Sequence, residues 1–258
     1  MKTLHEIYEY REMVFSLVKR DLRGRYKGSA LGFLWTFINP LLQLVVYTVV
    51  FSVIMRNGIK DYYLFLFVAL IPWLFFSSCI SAGCSCVLDM GDMVKKIYFP
   101  REVLPIAFVT GAFVNMLLCM IVVFGVLIVS GKGLNPVAML FLPIIMVVEY
   151  VLSLGFTLLF SAGAVYLRDL KHVLSIVTMA WQFATPVMYS FDMIPEKMRW
   201  IFLLNPMTAV IEAYRAILYY KQIPQLSTLL VAVIVGVAFL IIGSVVFRKL
   251  QRGFAENL

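Results

Sequence analysis

At 258 residues the chain is long enough for a single domain, but 62% of it is hydrophobic and only 14% charged, which excludes an ordinary soluble domain. The apolar residues run in long uninterrupted stretches, the pattern of membrane-spanning helices. The formal net charge of +8 comes from 22 Lys and Arg against 14 Asp and Glu, and the position of those charges decides whether they address nucleic acid, anionic lipid or membrane topology.

The first 29 residues carry seven basic and four acidic side chains and no continuous apolar stretch, so no cleavable leader is expected and the first spanning helix must direct insertion. Within them Leu4, Ile7, Tyr8, Val14, Phe15, Leu17, Val18 and Leu22 recur at helical spacing, while Glu6, Glu9, Glu12, Lys19, Arg20 and Arg23 take other faces. That is the pattern of an amphipathic helix lying at a membrane interface over residues 1–29.

A helix rising about 1.5 Å per residue needs about 20 apolar residues to cross roughly 30 Å of hydrocarbon. No side chain is charged between Lys27 and Arg56, Asp61 and Asp89, Glu102 and Lys132, Lys171 and Asp192, or Lys221 and Arg248, and from Pro136 to Tyr166 only Glu149 is. Six spans are predicted, at 31–55, 62–88, 103–130, 137–165, 172–191 and 226–247. The segment 192–224 holds Pro195, Pro206, Pro224 and two apolar patches too short to cross, so an external re-entrant or gate-like hairpin is expected, a plain external loop being the simpler form. The fold class is therefore all-α and integral to the membrane.

Six crossings put both termini on one side. Fifteen of the basic residues fall in the amino segment, the 89–101 connection, the Arg168–Lys171 connection and the tail, and seven on the other face. The positive-inside rule makes the first group cytoplasmic. Topology accounts for the net charge, so no nucleic-acid partner is expected. Cys79, Cys84, Cys86 and Cys119 sit in or beside apolar runs without Cys-x-x-Cys spacing and read as small buried hydrophobes. His5 and His172 form no metal pattern, and no phosphate-binding Gly-x-x-x-x-Gly-Lys-Ser/Thr loop exists. The chain is thus expected to hold no metal or cofactor and to draw energy from a partner. Gradient-driven carriers place more ionisable groups at mid-membrane than the single Glu149.

The run Val18-Lys-Arg-Asp-Leu-Arg-Gly-Arg-Tyr-Lys-Gly-Ser-Ala-Leu-Gly-Phe-Leu-Trp35, then Asn39-Pro-Leu, Val94-Lys-Lys-Ile-Tyr-Phe-Pro-Arg101, Tyr166-Leu-Arg-Asp-Leu170, Thr185-Pro-Val-Met-Tyr189, Leu204-Asn-Pro206 and Tyr214-Arg215 resemble, in order, the landmarks of ABC-2 type permeases for cell-surface polysaccharides. The likeness covers nearly the whole chain. It is nearest the O-antigen exporters, with teichoic-acid and capsule permeases as relatives. The resemblance implies a homodimer bound to two copies of an ABC ATP-binding subunit, which holds ATP and Mg. It also implies a lipid-pyrophosphate-linked polysaccharide as cargo and the bacterial inner membrane as the location.

Three sets of residues are candidates. Arg20, Arg23, Arg25, Tyr26 and Lys27 lie where the interface helix meets the first span, and guanidinium groups suit a pyrophosphate. Contact with ordinary anionic lipid, or orientation of the first helix, explains them equally. Asp92, Met93, Val94, Lys95, Lys96 and Ile97 mix apolar and basic residues as an element docking on the ATP-binding subunit would, and also as a topology-setting loop would. Phe33, Trp35, Phe37, Tyr47 and Phe51, with Trp181, Phe183, Tyr189 and Phe191, offer ring faces on which sugars stack weakly enough to slide; interfacial belts and helix packing use the same residues. Glu149 is either a contact in the path or a hydrogen-bond acceptor within the bundle. The competing functions are a small-molecule exporter, a membrane-embedded transferase built on Asp192, Glu196 and Glu212, and a non-transporting scaffold.

Overall fold

A computed structural model describes residues 8–24, 31–56 and 58–258. Every regular element among them is helical. Helix α1 covers Arg11–Gly24 and α2 Trp35–Thr48, continued by a π-helical stretch to Ile54. Helix α3 is Tyr62–Ser81, α4 Gly91–Lys96, α5 Val103–Val129 and α6 Leu142–Tyr166. Helix α7 is Leu170–Phe183, α8 Glu196–Leu204, α9 Pro206–Leu218 and α10 Leu226–Leu250. Among the described residues five stretches are long and apolar enough to cross a membrane, and α8 with α9, bent by 100° at Asn205, makes a sixth if the pair counts as one span.

Each boundary has a local cause. The 27 residues of α5 rise about 40 Å, enough to cross with tilt, and the chain then turns through Gly131 and Gly133, both at positive φ, where only glycine is unstrained. The expected 62–88 span is helical to Ser81 and continues as short 3-10 turns through Met90. Helix α7 differs most from expectation. Its apolar interval runs to Phe191, yet the helix stops at Phe183 after 14 residues, or about 21 Å, because Pro186 clashes with the helical turn before it and keeps Thr185 out of the α region.

Helix α3 is the spine. Phe65, Leu66, Phe67, Leu70, Trp73 and Phe76 are fully buried, and α2, α5, α6, α7 and α9 all pack on it. Helices α6 and α10 form the tightest pair. A Cβ placed on Gly155 would sit 2.5 Å from the Phe239 carbonyl carbon, and the same substitution at Gly243 would strike Gly155. Paired glycines allow backbones to meet in a solvent where apolar side chains gain nothing by leaving lipid. The Phe156 and Phe239 rings stack beside them at 4.1 Å.

A smaller apolar cluster closes the end of the bundle that carries the described ends of the chain. Val94, Phe99, Val103, Phe247 and Phe254 are buried there, and Tyr10 with Met13, Val14 and Leu17 of α1 pack against them. The expected apolar stripe is therefore split: Val14, Leu17 and Val18 turn onto the protein, while Tyr8 and Phe15 are exposed. Residues 1–7 and 25–29 of the expected interface helix lie outside the described residues.

Candidate translocation and coupling site

Helices α2 and α7 flank α3, and each leaves an apolar face uncovered: Val45, Val46, Val49 and Val53 on α2 and its π-helical continuation, and Val173, Ile176, Met179 and Phe183 on α7. The nine aromatic candidates divide between surface and interior. Phe33 is exposed and meets Phe37 edge to face at 5.5 Å. Phe183 is 60% exposed. Tyr47 and Phe51 pack against the core, Phe51 stacking on Tyr62 at 6.3 Å. Trp35 forms part of the wall of a cavity of about 200 Å³ between α2, α3 and α5, whose polar groups come from Thr36, Asn39, Gln43, Ser78 and Asn115. Trp181 is edge-on to Phe76 and Phe156, at 5.4 and 5.5 Å.

Between Phe183 and Tyr189 the backbone is not helical, and side chains from elsewhere bond its carbonyls. Asn205, at the bend between α8 and α9, donates from Nδ2 to the Ala184 carbonyl at 3.0 Å and to Thr185 Oγ1 at 2.8 Å. Its Oδ1 accepts from Trp181 Nε1 at 2.9 Å and caps α9 through the Met207 N–H at 3.0 Å. Arg215 of α9 donates to the Val187 carbonyl at 2.6 Å and the Tyr189 carbonyl at 3.1 Å, and Nη1 also pairs with Glu212 at 3.0 Å. Its guanidinium carbon lies 3.7 Å from the Phe65 ring centroid. Tyr62 donates to the Met188 carbonyl at 2.8 Å.

Glu149 is fully buried in α6, and its Oε2 accepts a 2.6 Å hydrogen bond from the Tyr214 hydroxyl of α9. Of the two readings of this carboxylate, contact within the bundle is the one observed. Arg215 falls in the 192–224 segment expected to form the external hairpin, and it is 0% exposed. A charge in the interior persists only where dipoles or opposite charges meet it, and the broken end of α7 supplies two carbonyls. The signal in the sequence was an Arg inside the otherwise apolar run Ala213–Leu218.

At the other end, α4 turns Val94 into the small apolar cluster and leaves Asp92, Lys95, Lys96 and Ile97 exposed, with Met93 half-buried. Tyr98 next to them is 95% exposed. Lys95, Lys96, Arg101, Arg248 and Arg252, with Glu102, border an open cavity of about 1070 Å³. Arg101 donates to the Gln251 carbonyl and lies over the Phe254 ring at 5.8 Å. Glu102 accepts from Gln251 at 3.3 Å and pairs with Arg248 at 3.7 Å. The last turns after α10 are thereby bound to the segment that follows α4.

Of the loading candidates, Arg25, Tyr26 and Lys27 lie outside the described residues. Arg23 is exposed at the end of α1. Arg20 reaches the turn before α4, with Nη2 2.8 Å from Met90 Sδ, so one member of this set touches the coupling segment. Among the described residues, the aromatic, basic and coupling sets do not share one pocket; they occupy the flanks of the bundle and its terminus-bearing end.

Residues 12–219 match the model of the ABC-2 type transporter membrane family. The chain belongs to that family. It is 36% identical over 260 residues to the O-antigen export system permease protein RfbA of Myxococcus xanthus, covering all of both chains. It is 32% identical over 247 residues to the protein of the same name from Klebsiella pneumoniae, covering 96% of this chain and 95% of that one. The polysialic acid transport protein KpsM of Escherichia coli is 25% identical over 251 residues, with 95% of each chain covered. The all-α membrane architecture and the family read from the sequence are both borne out.

Proposed function

We propose that this ABC-2 permease exports a lipid-pyrophosphate-linked polysaccharide of the O-antigen class. It works as a homodimer with two copies of an ABC ATP-binding subunit, which carries the ATP and Mg. In this reading it resides in the bacterial inner membrane with both termini cytoplasmic, holds no cofactor and performs no covalent chemistry. The observation that carries the proposal is the end-to-end likeness to the Myxococcus permease.

The physical features support a guiding role. The uncovered faces of α2 and α7 suit pairing with a second copy or with lipid, and the exposed rings Phe33 and Phe183 suit weak stacking on sugars. Helix α4 with Ile97 and Tyr98 presents an apolar tip among basic side chains, the chemistry of an element that docks on another subunit and passes its motion to the helices.

Reconstitution tests the proposal. Liposomes containing this chain and its ATP-binding partner are expected to move the lipid-linked glycan across the bilayer with ATP, and neither protein alone to do so. Full-length likeness to KpsM favours capsule-type polysaccharide as the second reading, and the polymer missing from the surface of a deletion strain separates the two.

A further inference from the structure

The backbone from Ala184 to Tyr189 leaves the helical ladder inside an apolar interval, where an unbonded carbonyl costs several kcal/mol. Four of its carbonyls, those of Ala184, Val187, Met188 and Tyr189, are taken by Asn205, Arg215 and Tyr62. Asn205 uses all its capacity in one place: both amide hydrogens go to this turn, while Oδ1 takes the Trp181 indole and the first turn of α9. Arg215 reaches the same turn from two and a half helical turns further along α9, held flat on Phe65. Tyr214 secures α9 to α6 through Glu149.

We infer that Asn205 and Arg215 are positioning residues that clamp the bent α8–α9 pair to the broken end of α7, so that Trp181 and Tyr189 are aimed by the hairpin. The Tyr189 hydroxyl in turn donates to the Phe183 carbonyl at 2.6 Å, so the turn is also tied back to the last residue of α7. The aromatic end of α7 and the hairpin then move as one block during export. Residues after Pro186 keep a non-helical path because the hairpin satisfies it. The functional part of this inference rests on the proposed glycan path; the clamp itself does not.

The test uses isolated membranes holding the chain with its ATP-binding partner. A Ser190→Cys reporter, one residue beyond the clamped turn, is labelled with a water-soluble maleimide; the native Cys79, Cys84, Cys86 and Cys119 are buried and set the background. Asn205→Asp keeps the acceptor and removes both donors, Arg215→Met removes every bond, and Arg215→Lys keeps a cation able to reach one carbonyl. Labelling is expected to rise about tenfold for Asn205→Asp, more for Arg215→Met and less for Arg215→Lys, with the native cysteines unchanged. Reporter labelling within twofold of the parent in Asn205→Asp and Arg215→Met overturns the clamp, and so does a parallel rise at the native cysteines, which marks general loosening. If Arg215→Met fails to insert, Asn205→Asp decides alone. Glycan export measured on the same membranes separates the two claims: raised labelling with export intact upholds the clamp and removes Trp181 and Tyr189 from the path.

Discussion

The hydroxyl of Tyr214 donates to Glu149 Oε2 at 2.6 Å in a site neither residue shares with solvent, while Glu149 Oε1 has no hydrogen-bond partner in the structure. This hydrogen bond joins α6 to α9 inside the bundle, and each side chain meets the other's polar group there. A buried polar group that loses its partner costs about 1–3 kcal/mol. Glu149→Gln keeps an acceptor and is expected to unfold near the parent in detergent, whereas Glu149→Leu and Tyr214→Phe each lower the midpoint. The double variant Glu149→Leu with Tyr214→Phe should recover part of the loss, and strict additivity of the two single changes would show that the residues do not depend on each other.

The contact of α6 with α10 makes a steric prediction. At Gly155 a methyl group meets backbone, which cannot swing aside. Gly155→Ala is expected to cost about 1–3 kcal/mol and to reduce the amount of chain recovered from membranes. Gly125→Ala serves as the comparison, because a Cβ there meets nothing within 4 Å. Equal recovery of the two variants would mean that α6 and α10 do not touch as described.

Phe254 is fully buried between Phe247, Tyr166 and the segment after α4. Truncating such a ring typically costs about 3–5 kcal/mol. Phe254→Ala should lower the thermal midpoint and loosen α4, read as faster proteolysis within residues 89–101. The charge reversals Lys95→Glu and Lys96→Glu act on exposed side chains and should leave the midpoint in place. Their expected effect is at least a tenfold loss of export with weaker recovery of the ATP-binding subunit, and unchanged export would remove α4 from coupling.

How much could be read from residues alone follows from how each feature is encoded. The first three expected spans and the last are visible because hydrocarbon disfavours charge and the chain obeys that over 20 or more residues at a time, as in Val103–Val129; the fourth is visible despite the single Glu149 within it. The 172–191 interval obeys it too, yet its helix ends at Phe183. Apolarity reports the solvent and not the hydrogen-bond ladder, and Pro186 was the local sign of the break. Arg215 shows the limit of the same logic, since a guanidinium that finds carbonyls at Val187 and Tyr189 can lie in the interior while counting as a loop charge. The aromatic candidates were chosen by type. Only contacts with other helices, such as Phe76 and Phe156 around Trp181, show which rings are held inside.

The basic candidates at the start of the first span give a further comparison. Arg23→Ala and Arg25→Ala are expected to lower the amount of lipid-linked glycan that co-purifies with the complex severalfold, because a guanidinium offers a phosphate paired bonds that no neutral side chain replaces. Lys197→Ala, on α8 at the opposite end of the bundle, should not. Equal retention in all three would assign the cluster to ordinary lipid contact or helix orientation.

The most direct measurement of the central claim is ATP-dependent glycan movement and nucleotide hydrolysis in liposomes of defined composition. The account predicts that this chain alone neither hydrolyses ATP nor moves glycan, and that adding the ATP-binding subunit produces both. Hydrolysis by the purified chain, or a complete complex that hydrolyses ATP while the glycan stays on its starting side, would contradict it.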